Sequence, residues 1–263
     1  MPTKNKFKGK KIPGLPRTRL NRIEAGLARE LRAIMWRFVD DVIAKLKPYT
    51  AQEAFIPTIN VDAVGQEYST DLFATISRHK IRAIEVAGVY MANKFSVPFD
   101  KKYFNNQVVP LIMDRTFKIV TTQITKSISD ELKGVLVAGV SQGAPASKII
   151  EHMNSLKTNY KTIARTEINT AASEGSFLLA NKELSELGLS GMALKGWQTA
   201  SDEKVRDTHI DAENNYGEGK EIPFEEEFVV GGERMMFPAD YSASAGEIIN
   251  CRCNYYIRPY GLN

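Results

Sequence analysis

The residues with the clearest capacity for chemistry are two cysteines one residue apart, Cys251-Arg252-Cys253, the only cysteines in the chain. In an extended segment, residues i and i+2 point the same way and lie roughly 7 Å apart. A disulfide needs Cα atoms about 4.4–6.8 Å apart, so closing one here requires a bent backbone. Two thiolates so placed can share one metal ion, and zinc accepts sulfur together with imidazole. His209 is the natural third ligand, because His79 and His152 fall in helical sequence far upstream. Asp202, Asp207 or Asp240 offers a fourth. The competing reading is two buried structural cysteines and an ordinary histidine, with no cofactor.

Three further groupings carry reactive types. On a helix beginning at Ser201 or Asp202, the residues Asp202, Arg206 and His209 would share one face at spacings of four and three. They could position a phosphate or a water, or serve as a structural ion-pair set, which is the reading favoured here. Arg165 and Glu167 are two apart on a helix, so they face different directions and suit polar anchoring between parts of the chain. In Phe224-Glu225-Glu226-Glu227-Phe228, the pair Glu225 and Glu227 would share a face if extended. Such E-x-E pairs occur in ADP-ribosyl-transferring enzymes; a solvated acidic edge that blocks strand pairing is the plainer reading.

Long helices must carry these groups. Leu20, Ile23, Leu27, Leu31, Ile34, Phe38, Val42 and Leu46 recur at three- and four-residue steps, which predicts a helix ended by Pro48. A second is expected over about 61–94 and a third over about 111–137, with Pro110 in its first turn and Gly139 as its cap. Helices over about 146–156 and 159–187 follow. Beyond Gly188 the pattern changes: strands are expected at 192–199, at 227–230 and 234–237 around Gly231-Gly232, and at 248–257. The predicted fold is therefore α+β, with a basic arm at 1–19, a helical domain at 20–187 and a small α+β domain at 188–263.

Composition bounds the function. With 43% hydrophobic and 25% charged residues among 263, the chain can build a core and is not wholly disordered. Two cysteines exclude a disulfide-rich secreted scaffold. No apolar run approaches a membrane span of about 20 residues, and the basic start has no apolar stretch behind it, against a secretory signal. Residues 1–32 hold ten basic groups and two acids, whereas residues 202–247 hold thirteen acids and four basic groups. The arm, with Lys4, Lys6, Lys8, Lys10, Lys11, Arg17 and Arg19, is the expected DNA-binding segment, because clustered cations release the counterions of a polyphosphate. Its glycines and prolines predict mobility when unbound.

In order, these pieces resemble the phage Mu F-type minor head proteins, or phage head morphogenesis proteins. The likeness runs over about residues 110–258: Gly139-x-x-x-Gly143; Arg165, Glu167, Asn169 and Ala172; Gly196-Trp197-x-Thr199; Asp202-x-x-x-Arg206-x-x-His209; Pro238-x-Asp240; and Glu247-x-x-Asn250-Cys251-Arg252-Cys253. The resemblance implies a non-enzymatic minor capsid protein of a tailed bacteriophage. Such a protein is expected in the virion, inside the head, and in the host cytoplasm during assembly. It associates with portal and other capsid proteins and with DNA without sequence preference, during capsid assembly, packaging or delivery; no membrane is involved. Some relatives carry Cys-x-x-Cys where this chain has Arg206 to His209, so a sulfur-rich four-ligand site would be incomplete. The family's suspected kinship with ADP-ribosyltransferase-like folds leaves an enzyme as the alternative, either of that type or a metal-dependent phosphodiesterase using Asp202, His209 and the cysteines.

Overall fold

A computed structural model describes residues 14–49, 59–156 and 160–259. The lysines Lys4 to Lys11 of the expected arm lie outside these residues. The first helix, α1 (Arg17–Leu46), buries the predicted stripe of Leu20, Leu27, Leu31, Ile34, Phe38 and Val42. A single 3-10 turn at Lys47–Tyr49 ends it where Pro48 forbids continuation. α2 (Val61–Lys94) starts on the Asn60 side chain, which accepts a hydrogen bond from the Ala63 N–H at 3.0 Å.

The third helical stretch is longer than expected. It begins at α3 (Lys101–Tyr103), capped by Asp100, and runs through α4 (Val109–Ile119) and α5 (Thr125–Ser141). Widened π-helical turns at Phe104–Val108 and Val120–Ile124 join the three. Pro110 lacks an N–H, and its ring would crowd the carbonyl of Asn106, so the first widened turn lets the helix pass a residue that would otherwise kink it. At the second, Thr121 and Thr122 bond back to the Lys118 carbonyl and Thr125 to that of Val120, competing with the regular ladder. Gly139 is not the cap: the helix continues to Ser141, and Gly143 turns the chain at φ +63°. Gly139 instead lies where a Cβ would come within 2.4 Å of Ile149 on α6 (Ala146–Ser155).

α7 (Tyr160–Glu186) is the centre of the molecule. Every residue from Thr166 to Ser176 is buried, as expected of a helix packed on all sides. Small residues let α2 come close. A Cβ on Gly175 would sit 2.4 Å from Cγ2 of Ile84 and 3.1 Å from its Cβ, and one on Gly88 would meet Leu179 at 2.4 Å. Ile84 is β-branched on a helix and has essentially one rotamer. Gly175→Ala should therefore cost about 1–3 kcal/mol through overpacking. Gly134→Ala, with nothing within 4 Å, should gain roughly 0.5–1 kcal/mol from helix propensity. Thermal unfolding of the two variants should move in opposite directions.

The C-terminal part holds a three-stranded antiparallel sheet in the order β2 (Ile222–Pro223), β1 (Ala193–Gln198), β5 (Asn254–Pro259), and a hairpin of β3 (Phe228–Val230) and β4 (Glu233–Met235). Gly231 and Gly232 turn the hairpin at φ +61° and +84°. β2 had no signal in the sequence, because two residues cannot show alternation. The helix expected from Ser201 starts later, as α8 (Asp207–Tyr216). Ser201 has φ +57° and Asp202 accepts the Lys204 N–H, forming a turn rather than a cap. The final strand also starts late. The one-turn helix α9 (Ala245–Ile248) occupies its expected beginning, and Asn250, at φ +60°, breaks the pleat. Cys251 and Cys253 thus lie in an irregular segment before β5. One continuous cluster of buried apolar residues, from Leu15 to Ile257, joins the helices to the sheets.

Candidate functional site

The site forms where α7, α8 and the segment 249–253 meet. His209 is the third residue of α8, and its first turn aims the imidazole inward. Nδ1 lies 3.2 Å from Sγ of Cys253 and 3.7 Å from Sγ of Cys251. The potential ligand atoms of the three residues all fall within 4.8 Å of one another. Nε2 is 2.9 Å from Oε2 of Glu247, which also accepts from the Thr208 hydroxyl at 2.9 Å. Trp197, fully buried on β1, packs edge-on to the imidazole with centroids 5.6 Å apart.

Electrostatics tie the three into one unit. The hydrogen bond with Cys253, assisted by His209, draws the Cys251 thiol well below its ordinary range, against its burial. Cys253 is pushed up by that same bond and by burial, so the pair gives up one proton readily and the second reluctantly. Burial opposes a charged His209, but the hydrogen bond and charge of Cys251 prevail and raise its pKa. The cluster combines sulfur and imidazole donors with a carboxylate behind the histidine, a donor set suited to a soft or borderline metal.

The segment carrying the cysteines is pinned by its backbone. Arg206 donates to the Ile249 carbonyl, and the Asn250 N–H donates to Thr166 Oγ1 at 2.9 Å. Arg165 reaches Asn250 Oδ1 at 2.7 Å and Glu24 at 3.1 Å. Asn169 donates to the Cys253 carbonyl at 3.3 Å. Arg17 spans the whole junction: it donates to Asn169 Oδ1 and to the Arg252 carbonyl, each at 2.8 Å, and to the Cys253 carbonyl. Arg165, Asn169, Trp197, Arg206, His209 and Asn250 therefore surround the cysteines, although they are scattered over more than 80 positions.

Several residues take partners other than those their spacing suggests. Arg17 does not belong to a DNA-binding arm, since its guanidinium is committed to Asn169 and two carbonyls; Leu15 is already buried, so the folded chain begins before residue 19. Arg19 is exposed on α1. None of the three aspartates completes the cluster. Asp202 forms a two-pronged ion pair with Arg252, which holds its carboxyl at about 2. Asp207 is exposed, and Asp240 accepts the N–H groups of Met236 at 2.9 Å and Ser242 at 3.0 Å. Asp202, Arg206 and His209 do not share a helix face, because only His209 lies within α8. Glu225 and Glu227 fall in the turn after β2 rather than on a strand; Glu225 accepts from the Gly191 N–H and Glu227 pairs with Arg234. Glu167 stands apart from the cysteines, in a buried triad with Lys80 at 2.9 Å and the Tyr241 hydroxyl at 2.9 Å. Glu247 and Arg17 are the partners that spacing did not single out.

Beside the cluster opens a cavity of about 780 Å³ whose wall includes Arg17, Asn21, Arg165, Asn169, Cys251 and Arg252. The fold and this site define an α+β protein in which long helices hold a small unit organised around two cysteines and a histidine. Over residues 126–256, about half of the chain, the sequence matches the family described as Phage Mu protein F like protein, and the chain belongs to this phage Mu F-like head morphogenesis family. The match spans α5 to β5 and contains the whole cluster. No curated protein and no solved structure matches the chain.

Proposed function

We propose that this head morphogenesis protein is a minor capsid component of a tailed phage. It lies inside the head, docks on the portal and neighbouring capsid proteins, and touches packaged DNA through its basic leader. The observation that carries the DNA contact is a basic surface on the first helix, which follows the lysine-rich start of the sequence. Arg19, Arg22, Arg29 and Arg32 are exposed on α1. A groove of about 350 Å³ beside them is lined by Arg29, Arg32, Lys161 and Arg165, with Glu24 as its single acid. Such a surface suits phosphate backbone and gives sequence-independent, salt-sensitive binding. The acidic segment 202–247 would repel DNA and favour a protein partner. Among the described residues no helix is long and apolar enough to cross a membrane.

Removing residues 1–13, which leaves Arg17 in place, should weaken the shift of a random duplex. Changing Arg22, Arg29 and Arg32 to Gln should flatten the dependence of log affinity on log salt by roughly 0.9 for each phosphate no longer neutralised. An unchanged slope would remove DNA from the reading. Tagged protein should co-purify with portal and with filled heads, and its absence from purified particles would overturn the minor-capsid role. The enzyme alternative has its own assay: plasmid cleavage with divalent metals, or transfer of label from NAD, abolished by His209→Ala or Glu227→Ala, would replace the structural reading.

A further inference from the structure

We propose that Cys251, Cys253 and His209 form a zinc site, with the two sulfurs and Nδ1 as ligands and Glu247 as the carboxylate behind the histidine. Zinc–sulfur bonds of about 2.3 Å and zinc–nitrogen bonds of about 2.0–2.1 Å, set at tetrahedral angles, place a sulfur and a nitrogen about 3.5 Å apart. The two distances from Nδ1, 3.2 and 3.7 Å, bracket that edge. A lone N–H···S contact would account for one such distance, but here one ring nitrogen faces both sulfurs.

The other side of the ring supplies an independent sign. The Glu247 carboxylate at Nε2 can only accept, so it keeps a proton there and leaves Nδ1, on the sulfur side, as the ring atom that ligates. A carboxylate that fixes tautomer and orientation is what a ligating histidine ordinarily has behind it. Thr208 in turn orients Glu247. All three ligand residues are at most 2% exposed. The backbone of the cysteine segment is held by Arg17, Asn169 and Arg206, which fixes the sulfurs before any ion arrives. Two thiolates also balance the charge of a divalent ion, so the occupied cluster is neutral in a site where charge would be costly.

Asp202, Asp207 and Asp240 are all engaged or placed elsewhere, so no fourth protein ligand stands among the described residues. Cys251 lies on the wall of the 780 Å³ cavity, from which a water would complete the shell. This site is independent of the DNA and portal reading. Its role in the fold is to tie the start of β5 to the first turn of α8, and through Arg17 to the start of α1.

The test uses the full chain. Purified without chelator, it should carry close to one zinc per chain. After stripping, cobalt(II) should bind one to one and give the sulfur-to-cobalt charge-transfer absorption of thiolate ligation and the intense visible bands of tetrahedral geometry. Cys251→Ser and Cys253→Ser should each lose part of the charge-transfer intensity, with circular dichroism checking that the variant is folded. Glu247→Gln should keep the spectrum and bind roughly 10–100-fold more weakly. Zinc should also shield both thiols of the wild-type protein from a thiol reagent. The proposal is overturned if folded wild-type protein gives no charge-transfer band with cobalt, or if folded cysteine variants give an unaltered one. It is overturned too if both thiols react equally fast with and without zinc.

Discussion

Replacing Glu167 by glutamine should destabilise the protein by about 3–5 kcal/mol, the cost of leaving a buried charge without its partner. Lys80 is fully buried on α2, and its Nζ lies 2.9 Å from Oε2 of Glu167, itself 3% exposed on α7. Tyr241 donates to the same carboxylate oxygen, so the loop before α9 is fastened to both helices through one group. Glutamine keeps the shape but removes the charge. At roughly 2–4 °C per kcal/mol for a chain of this size, the midpoint of thermal unfolding should fall by on the order of 10 °C. The double variant Lys80→Met, Glu167→Leu should recover much of the loss, because desolvating an ion pair offsets most of its attraction. A single variant costing less than about 1 kcal/mol, the range of an exposed pair, would show that water reaches the triad.

The second large effect is a pH dependence centred on Lys195. Its side chain is fully buried on β1, donates to the Met236 carbonyl at 2.8 Å and lies among the rings of Phe177, Phe224 and Phe228, with Nζ 4.9–5.7 Å from their centroids. Burial pulls its pKa down to about 7 from an ordinary 10.5, and Asp240 with Glu225, Glu227 and Glu226 opposes this only in part. Between those two values the unfolded chain binds more protons than the folded one, so stability rises with pH across the window. Below about 7 both states are protonated, and the burial penalty is fully present. At 1.36 kcal/mol per pH unit, the rise from pH 7 to 9 should be on the order of 2–3 kcal/mol. Cation–π attraction favours the charged form and trims this figure. Lys195→Met should be the more stable protein at pH 6.5 and should flatten the rise, as read by urea unfolding at pH 6.5 and 9. Parallel profiles for the two proteins would show that Lys195 reaches solvent or an anion.

Local signals were legible wherever they repeat along the chain. The three- and four-residue spacing of α1 and α2, and the two-glycine turn between β3 and β4, lie within a few positions of where the structure has them. Elements depart from the local pattern where local chemistry is ambiguous. Asp202 is as good a turn residue as a cap. Pro110 marks a widened turn inside a helix as readily as a helix start. Asn250 ends extension without the warning a glycine gives.

The pairing of Cys251, Cys253 and His209 came from residue type alone, since few other side chains in the C-terminal part suit a soft metal. Arg17 and Glu247 could not be chosen that way. The chain offers 35 lysines and arginines and 31 acids, and spacing does not say which of them reaches the cysteines. By itself, the sequence determined the succession of elements and the donor types at the site, because helical and strand periodicity are properties of neighbours. Only the tertiary structure decided that Arg17 crosses 235 positions to the Arg252 carbonyl, that Asp202 serves Arg252, and that Glu247 backs His209. Those choices depend on which surfaces are desolvated when α7 is enclosed, and a buried polar group must then take whichever partner the packing brings within reach.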